Sequence, residues 1–135
     1  MKMDLQQIES ELKQAVNGLL MRSETDEPFE FYYDEQQDGE ALNEDTVHKL
    51  SGMPAQYPME VVELDYFFRN QTRAAEETPE ELARAERFQQ LQAKLKELLP
   101  DVKVYRIGEN RITAFILGTT QEGKITGLKT VLVET

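Results

Sequence analysis

Apolar residues recur at three- and four-residue steps in two long segments of the chain, a spacing typical of amphipathic helices. The first segment, residues 4–21, starts at Asp4, whose carboxylate can cap a helix. The second, residues 78–99, has Thr78 as its cap and Pro79 in the first helical position. The apolar positions are Leu5, Ile8, Leu12, Ala15, Val16, Leu19 and Leu20 in the first segment and Leu82, Ala85, Phe88, Leu91, Leu95 and Leu98 in the second. Each predicted helix therefore has one face suited to a protein core.

The last third of the chain has the pattern of β-strands. Strands are predicted at residues 102–107, 111–117 and 125–133, separated by short segments with turn residues. Such short connections indicate an antiparallel meander. Because residues 111–117 (RITAFIL) are apolar on both faces, both faces of the sheet must be covered, and the two long helices are available for this. The pattern predicts a single α+β domain over residues 1–135, arranged as an α/β/α sandwich or at least in layers, with a mainly antiparallel sheet.

Shorter elements are predicted between the two long helices. An aromatic strand at residues 29–33 follows an acidic loop at 24–28. The remaining predictions are an Asp-Gly turn at 36–39, a short helix at 44–50 capped by Asn43, a strand at 59–64, an apolar helical turn at 65–69 and an exposed loop at 70–78. This order puts the acidic loop between the first helix and the sheet.

Acidic residues are concentrated in the first half of the chain. Residues 23–45 contain ten carboxylates and no Lys or Arg. Residues 1–60 have fourteen acids and four bases, whereas the remainder has twelve acids and eleven bases, for a net charge of −11. This charge argues against direct binding to nucleic acids or anionic membranes, which requires a basic surface. The asymmetry favours a specific acidic surface for a positively charged partner, and a generally solubilising charge is the alternative interpretation.

The sequence offers little for catalysis or metal binding. It has no Cys, and its single His48 has no obvious base partner. It contains no phosphate-binding glycine loop and no recognised metal-ligand spacing, and its carboxylates are too numerous for any pair of them to be informative. We therefore expect a protein that is not an enzyme and that has no cofactor and no metal ion of its own.

The N-terminal residues and the longest apolar runs bear on localisation. The N-terminus lacks the apolar core of a signal peptide, and no apolar run approaches the length of a membrane span. We therefore expect a cytoplasmic protein. Composition and pattern alone predict a soluble, acidic α+β domain that binds another protein.

Short sequence fragments in a fixed order run through nearly the whole chain. They are Leu12-Lys13-Gln14-Ala15, Gly18-Leu19-Leu20, Ser23-Glu24, Pro28-Phe29-Glu30, Val61-Val62, Leu64-Asp65, Phe67-Phe68, Phe88-Gln89, Val104-Tyr105-Arg106-Ile107-Gly108-Glu109, Gly118-Thr119-Thr120, the segment 123–127 and Val133-Glu134-Thr135. Together they resemble the nuclease A inhibitor family, which consists of small acidic proteins that block a sugar-non-specific, magnesium-dependent nuclease.

This resemblance implies a fold, a partner and a set of site residues. The implied fold is a three-layer α/β/α sandwich of the pathogenesis-related-1 type, and the implied protein is a monomer that forms a one-to-one complex with the nuclease. In the family, an acidic side chain at the position of Glu24 and the chain-terminal carboxylate at the position of Thr135 reach the magnesium region of the nuclease, where they replace substrate phosphates. Asp26 and Glu27 are expected to steer the encounter with a basic cleft.

The loop after Phe67-Phe68 departs from the family pattern. In the family this loop can add an aromatic contact to the nuclease, whereas residues 71–77 contain no aromatic residue. Arg73, Ala75 and Glu77 are the candidate partner-binding positions here, and a solvated loop is the alternative interpretation. An acidic module of the same fold that binds a different basic protein is therefore the alternative function, and hydrolysis by two of the carboxylates is a third hypothesis.

Overall fold

The computed structural model describes residues 4–34 and 41–134, which contain four helices and seven strands in an α+β arrangement. The elements in chain order are α1 (Leu5–Val16), β1 (Leu20–Arg22), β2 (Asp26–Pro28), β3 (Glu30–Tyr33), α2 (Glu44–Ser51), β4 (Met59–Val62), α3 (Leu64–Phe67), α4 (Pro79–Leu98), β5 (Lys103–Ile107), β6 (Arg111–Thr119) and β7 (Ile125–Val133). No helix within these ranges has the length and apolar character of a membrane span. The predicted turn at 36–39 lies outside the described residues.

Five of the strands form one antiparallel sheet in the order β3-β7-β6-β5-β4. The three C-terminal strands are consecutive neighbours, which confirms the predicted meander. The long central pair, β6 and β7, runs from Arg111 opposite Val133 to Thr119 opposite Ile125. Strands β1 and β2 form a separate antiparallel hairpin.

Both faces of the sheet are buried, as the doubly apolar strand β6 requires. Its residues Ile112, Ala114 and Ile116 pack in a cluster with the apolar faces of α1 and α4. Phe115 and Leu117 point to the other face, as alternation along a strand demands, and pack in a second cluster with Val47 of α2. Both long helices thus lie on the same face, and the short helix α2 contributes to covering the other. The pathogenesis-related-1-like layering stays a prediction.

The first helix ends earlier than predicted, and the residues after it form a strand. Helix α1 stops at Val16, and Gly18 follows with φ of 73°, a left-handed conformation that ends helices and that glycine adopts without steric cost. The released segment then pairs as β1 with β2, so the predictions of a helix to residue 21 and of a loop over 24–28 were wrong at these positions. The apolar spacing at 19–20 suits a helix, but Leu19 instead enters the core beyond the helix end, and Leu20 is exposed.

The predicted helix starts are confirmed by side-chain caps. Asp4 accepts a hydrogen bond from the Gln7 N–H (2.8 Å), Asn43 from the Thr46 N–H (2.9 Å) and Thr78 from the Glu81 N–H (3.2 Å). One predicted core position of α4 was wrong, because Leu82 is exposed near the start of the helix.

Candidate partner-binding surface

Glu24 is an exposed residue at the tip of a short hairpin. Arg22 on β1 lies opposite Asp26 on β2, so residues 23–25 form the connecting turn. The Ser23 N–H donates to the Thr25 carbonyl (2.9 Å) and closes this turn. The carboxylate of Glu24 is thus presented by a tight hairpin.

The same hairpin tip is hydrogen-bonded to the end of β7. The Val133 N–H donates to the Ser23 hydroxyl (3.0 Å), and the Glu24 N–H donates to the Val133 carbonyl (3.2 Å). Both backbone polar groups of Val133 are therefore occupied by the hairpin. This pairing fixes the backbone of Glu24 beside a residue that is two positions from the last residue of the sequence.

Glu134 is held by the neighbouring strands. Its N–H donates to the Asn110 carbonyl (2.8 Å) in the β5–β6 turn. Its carboxylate oxygens both accept from Nη2 of Arg106, each at 2.8 Å. Arg106 also contacts Glu60 on β4 through Nη1 (3.4 Å). Because the Arg106 side chain is only 18% exposed, this ion pair is partly shielded from water.

These elements border one open groove of about 340 Å³. The hairpin, the end of β7, Arg106 and the residues that follow α3 all contribute to it. Its polar and aromatic lining includes Glu24, Glu134, Arg106, Arg69 and Tyr66. Tyr66 is about half exposed, and the Arg69 guanidinium lies 3.8 Å from the centre of its ring, a cation–π contact that orders both side chains.

Gln71 ties the hairpin to the loop after α3 and to α4. It is 5% exposed, although sequence analysis placed it in an exposed loop. Its Nε2 donates to the Arg22 carbonyl (2.8 Å), and its Oε1 accepts from the Arg22 N–H (3.4 Å) and from the Arg84 guanidinium. These bonds satisfy both ends of a buried amide, as burial requires. Arg73, Ala75 and Glu77 of the same loop are exposed, as predicted.

An ion pair adds a second link between the hairpin and α4. The Arg22 guanidinium donates through two nitrogens to the two carboxylate oxygens of Glu81, each at 3.1 Å. This parallel geometry gives a strong, oriented contact. The hydrogen bond from Arg22 lowers the pKa of Glu81 below its usual value, and the same bond raises the pKa of Arg22. The Ala75 backbone also hydrogen-bonds Glu81, so the loop after α3 contacts the same carboxylate as Arg22 does.

The comparison with known families identifies the chain. The family described as nuclease A inhibitor-like protein matches residues 6–135. The chain belongs to this family. No curated protein matches it. The match covers the hairpin, the groove and all elements after them, and the family description suggests a nuclease inhibitor, hence a non-enzymatic protein with a nuclease as its partner.

The described residues that sequence analysis assigned to partner binding occupy different parts of this surface. Glu24 lines the groove. Asp26 is exposed on β2, and Glu27, half-buried, has its carboxylate 4.0 Å from the Arg111 guanidinium. Arg73 folds back onto its own segment and donates to the Arg69 carbonyl (3.3 Å). Thr135 lies outside the described residues. Of the assigned residues that the structure describes, only Glu24 lines the groove itself.

The described acidic residues of segment 23–45 are spread over distant parts of the molecule. Glu24 contacts the end of β7 at Val133, whereas the Asp34 N–H donates to the Ile125 carbonyl at the beginning of β7. Eight residues of strand separate these points, roughly 26 Å at 3.3 Å per residue. Glu44 and Asp45 belong to α2, which packs on the other face of the sheet. The described acids of this segment thus do not form one continuous patch.

Sequence analysis missed four residues that shape the groove. Their contacts are with partners that are remote in sequence; Ser23 and its partner Val133, for example, are 110 residues apart. The four residues are Ser23, Gln71, Arg106 and Glu134. A weak signal was available for Arg106, a charged residue in the apolar strand segment 102–107. Because side chains alternate along a strand, Arg106 is expected on the same face as the buried Val104. A charged side chain on a buried face requires a partner.

The groove has features that are typical of a protein-binding surface. Within residues 4–34 and 41–134, no group of His, Asp and Glu side chains is placed to hold a metal ion. His48 is engaged far from the groove, where its Nε2 lies 2.9 Å from the Pro54 carbonyl oxygen. The groove instead combines an exposed carboxylate with a fixed backbone and an exposed, ordered aromatic ring, which are typical parts of an interface.

Proposed function

We propose that this protein inhibits a sugar-non-specific, magnesium-dependent nuclease by placing carboxylates in its active site. Glu24 on the hairpin and the terminal carboxylate of Thr135 are the inserted groups, and they replace substrate phosphates near the metal ion of the nuclease. The complex is one-to-one, and the metal belongs to the partner.

One observation carries this proposal. The hairpin that presents Glu24 is hydrogen-bonded through Ser23 and Glu24 to Val133, two residues before the chain end. A loop carboxylate and the C-terminal segment, 110 residues apart in sequence, therefore meet at one groove. We infer that the carboxylate of Glu24 and that of Thr135, which follows this segment, act together on a cleft built for a polyanion.

The chemistry of a nuclease cleft favours such groups. A nuclease must present cationic side chains and a divalent cation to bind nucleic acid, so its cleft attracts carboxylates as it attracts phosphates. Charge-assisted hydrogen bonds form there in a partly desolvated site, where they are stronger than in water. A rigid carrier reduces the conformational entropy lost on binding. The Ser23, Gln71 and Glu81 contacts supply that rigidity to the hairpin.

The direct test is DNA digestion by a magnesium-dependent, sugar-non-specific nuclease, titrated with the protein. We expect stoichiometric inhibition by the parent. Replacing Glu24 by Gln removes one charge from a desolvated contact, and removing Thr135 displaces the terminal carboxylate. Each change should weaken inhibition by about 30-fold or more, since truncating a buried charged contact costs at least about 2 kcal/mol.

The matched control is Glu122→Gln in the β6–β7 turn. Glu122 is an exposed glutamate beyond the opposite end of β7, so its substitution makes the same chemical change away from the groove. The control should inhibit as well as the parent. Absence of inhibition by the folded parent would contradict the proposal and favour the alternative of an acidic module for another basic protein.

We infer two further properties from the same resemblance. The helices on the two faces of the sheet correspond to the outer layers of a pathogenesis-related-1-like sandwich, with α1 and α4 on one side and α2 on the other. The inhibitor acts in the cytoplasm, where it protects the cell that makes the nuclease. The clusters on the two sheet faces support the first inference.

A further inference from the structure

Tyr66 is an aromatic residue that α3 holds outside the core. It is 51% exposed, whereas the next two residues, Phe67 and Phe68, are buried in the cluster that includes the apolar faces of α1 and α4. These two buried rings, together with the buried Leu64 at the start of α3, fix the helical turn from which Tyr66 projects. The exposed ring is therefore carried by a well-anchored element.

Arg69 orders the Tyr66 side chain. Its guanidinium lies over the ring, 3.8 Å from the centre, and its Nη1 donates to the Tyr66 carbonyl (2.7 Å). Because both contacts come from one side chain, the guanidinium is restrained above the ring. An aromatic side chain that is ordered before binding loses little conformational entropy when a partner covers it.

The Tyr66 hydroxyl adds a polar group to this ring. The hydrogen bonds that Tyr66 makes within residues 4–34 and 41–134 involve its backbone. A tyrosine hydroxyl that becomes buried normally forms a hydrogen bond. A partner that covers the ring would therefore be expected to supply a group for this hydroxyl.

Tyr66 and Glu24 occupy connected parts of the same groove. The Gln71 Nε2 donates to the Arg22 carbonyl (2.8 Å) beside the hairpin tip, and the Gln71 N–H donates to the Phe68 carbonyl (2.8 Å) directly after α3. Gln71 thus links the segment that carries Glu24 to the segment that carries Tyr66. A surface that receives the Glu24 carboxylate at this groove also faces the Tyr66 ring.

An aromatic ring suits a basic partner without adding charge to the interface. A cleft that binds nucleic acid carries Lys and Arg side chains. Their aliphatic stems can pack on apolar surface, and their cationic heads are attracted to aromatic rings. Tyrosine is also enriched among the few residues that dominate the binding energy of protein interfaces. Tyr66 and Glu24 therefore fit the same partner through different interactions.

We propose that Tyr66 is an anchor of the inhibitory interface, and that its ring packs against Lys or Arg side chains at the rim of the nuclease cleft while Glu24 enters the cleft. Arg69 is a positioning residue, which acts by ordering the ring. This inference rests on the proposed inhibitory function, and it is independent of the terminal carboxylate.

Hydroxyl-radical footprinting of the complex tests the contact without any substitution. The protein is oxidised alone and in the presence of excess magnesium-dependent, sugar-non-specific nuclease, and the modification of Tyr66 is followed by mass spectrometry. Oxidation of Tyr66 should be at least about threefold slower in the complex, because an anchor residue is largely desolvated. An unchanged rate of oxidation would overturn the proposal.

Substitutions then measure what the ring contributes. Tyr66→Ala should dissociate from the nuclease about 30-fold faster than the parent, and Tyr66→Phe, which keeps the ring, no more than about fivefold faster. The effect of Tyr66→Ala should be similar at about 0.05 and about 0.5 M salt, because the ring carries no charge. Tyr33→Ala is the matched control, since Tyr33 pairs with Thr126 near the beginning of β7, away from the groove. It should dissociate at the parent rate.

A double substitution tests the role of Arg69. Arg69→Met removes the guanidinium and should accelerate dissociation about threefold through loss of the cation–π contact. In the Tyr66→Ala background the same substitution should have no effect, because the ring through which it acts is absent. An effect of equal size in both backgrounds would refute the positioning role of Arg69.

Failure of this inference can be told from failure of the proposed function. A folded parent that does not inhibit the nuclease refutes the proposed function and the role of Tyr66 with it. If the parent inhibits and Glu24→Gln weakens inhibition, the proposed function stands. In that case only the role of Tyr66 is refuted if Tyr66→Ala dissociates at the parent rate or if the ring is oxidised equally fast in the complex.

Discussion

The Ser23 hydroxyl connects the hairpin that carries Glu24 to the end of β7. It accepts a hydrogen bond from the Val133 N–H (3.0 Å) and also contacts Thr25 within the turn. Replacing Ser23 by Ala leaves the partly buried Val133 N–H without this acceptor, so we expect the free energy of unfolding to fall by about 1 kcal/mol. Inhibition should weaken several-fold, because the hairpin tip is no longer fixed. Urea unfolding and nuclease titration measure the two effects.

Ser51→Ala is the control for this substitution. The Ser51 hydroxyl donates to the His48 carbonyl (2.7 Å) and accepts from the Met53 N–H (3.1 Å) at the end of α2, away from the groove. Its loss should cost a similar free energy of unfolding. Nuclease inhibition should not change. If Ser51→Ala weakened inhibition as much as Ser23→Ala, the effect of Ser23 would be one of stability alone.

Residues that act on near neighbours were predictable from the sequence, and residues that act at a distance were not. The caps Asp4, Asn43 and Thr78 each bond a residue three positions ahead, which a short pattern reveals. Gln71 and Arg106 instead find partners 49 and 28 residues away. Local pattern does not reveal the partners in such pairs, because only the folded sheet and the packed helices bring them together.

At the scale of elements, the strongly patterned segments were predicted and the hairpin was not. Helix α4 and strands β5, β6 and β7 have long apolar patterns that identify them without tertiary information. Strands β1 and β2 have only three residues each. The sequence of β1 continues the helical spacing of the segment before it, and the sequence of β2 lies within the acidic run. Their pairing depends on Gly18 and on anchors in Gln71 and Glu81, so it could not be derived from periodicity.

The anchor between the hairpin and α4 should make stability depend on pH. Because the Arg22 hydrogen bond lowers the pKa of Glu81 below 4.5 in the folded protein, the pair stabilises the fold fully at pH values above 4.5. That contribution is lost as the pH falls through the lowered pKa. Glu81→Gln should therefore reduce stability at neutral pH and reduce it less at about pH 3. Urea unfolding at the two pH values measures this difference.

Glu80→Gln controls for the helix dipole in this experiment. Glu80 and Glu81 both lie in the first turn of α4 and interact with its N-terminal dipole, but the ion pair with Arg22 involves Glu81. The pH-dependent loss of stability should be smaller in Glu80→Gln. Equal losses in the two variants would show that the dipole, and not the link to the hairpin, accounts for the effect.

At the scale of the whole molecule, net charge and local contacts are expected to control different steps of binding. The chain carries a net charge of −11, so we expect it to attract a positively charged partner, such as the proposed nuclease, before any contact forms. The described acids of segment 23–45 lie on separate parts of the surface, which suits a diffuse field better than a single contact patch. Steering of this kind is screened by salt, whereas bonds in a closed interface are screened much less.

The rate constants for complex formation can separate these contributions. We expect the association rate constant to fall roughly tenfold between about 0.05 and about 0.5 M salt, with little change in dissociation. Asp26→Asn, on the exposed strand β2, should lower association about twofold at low salt and leave dissociation unchanged. Glu24→Gln should mainly accelerate dissociation, because its carboxylate is proposed to lie inside the complex. Faster dissociation of Asp26→Asn would instead place Asp26 in direct contact with the nuclease.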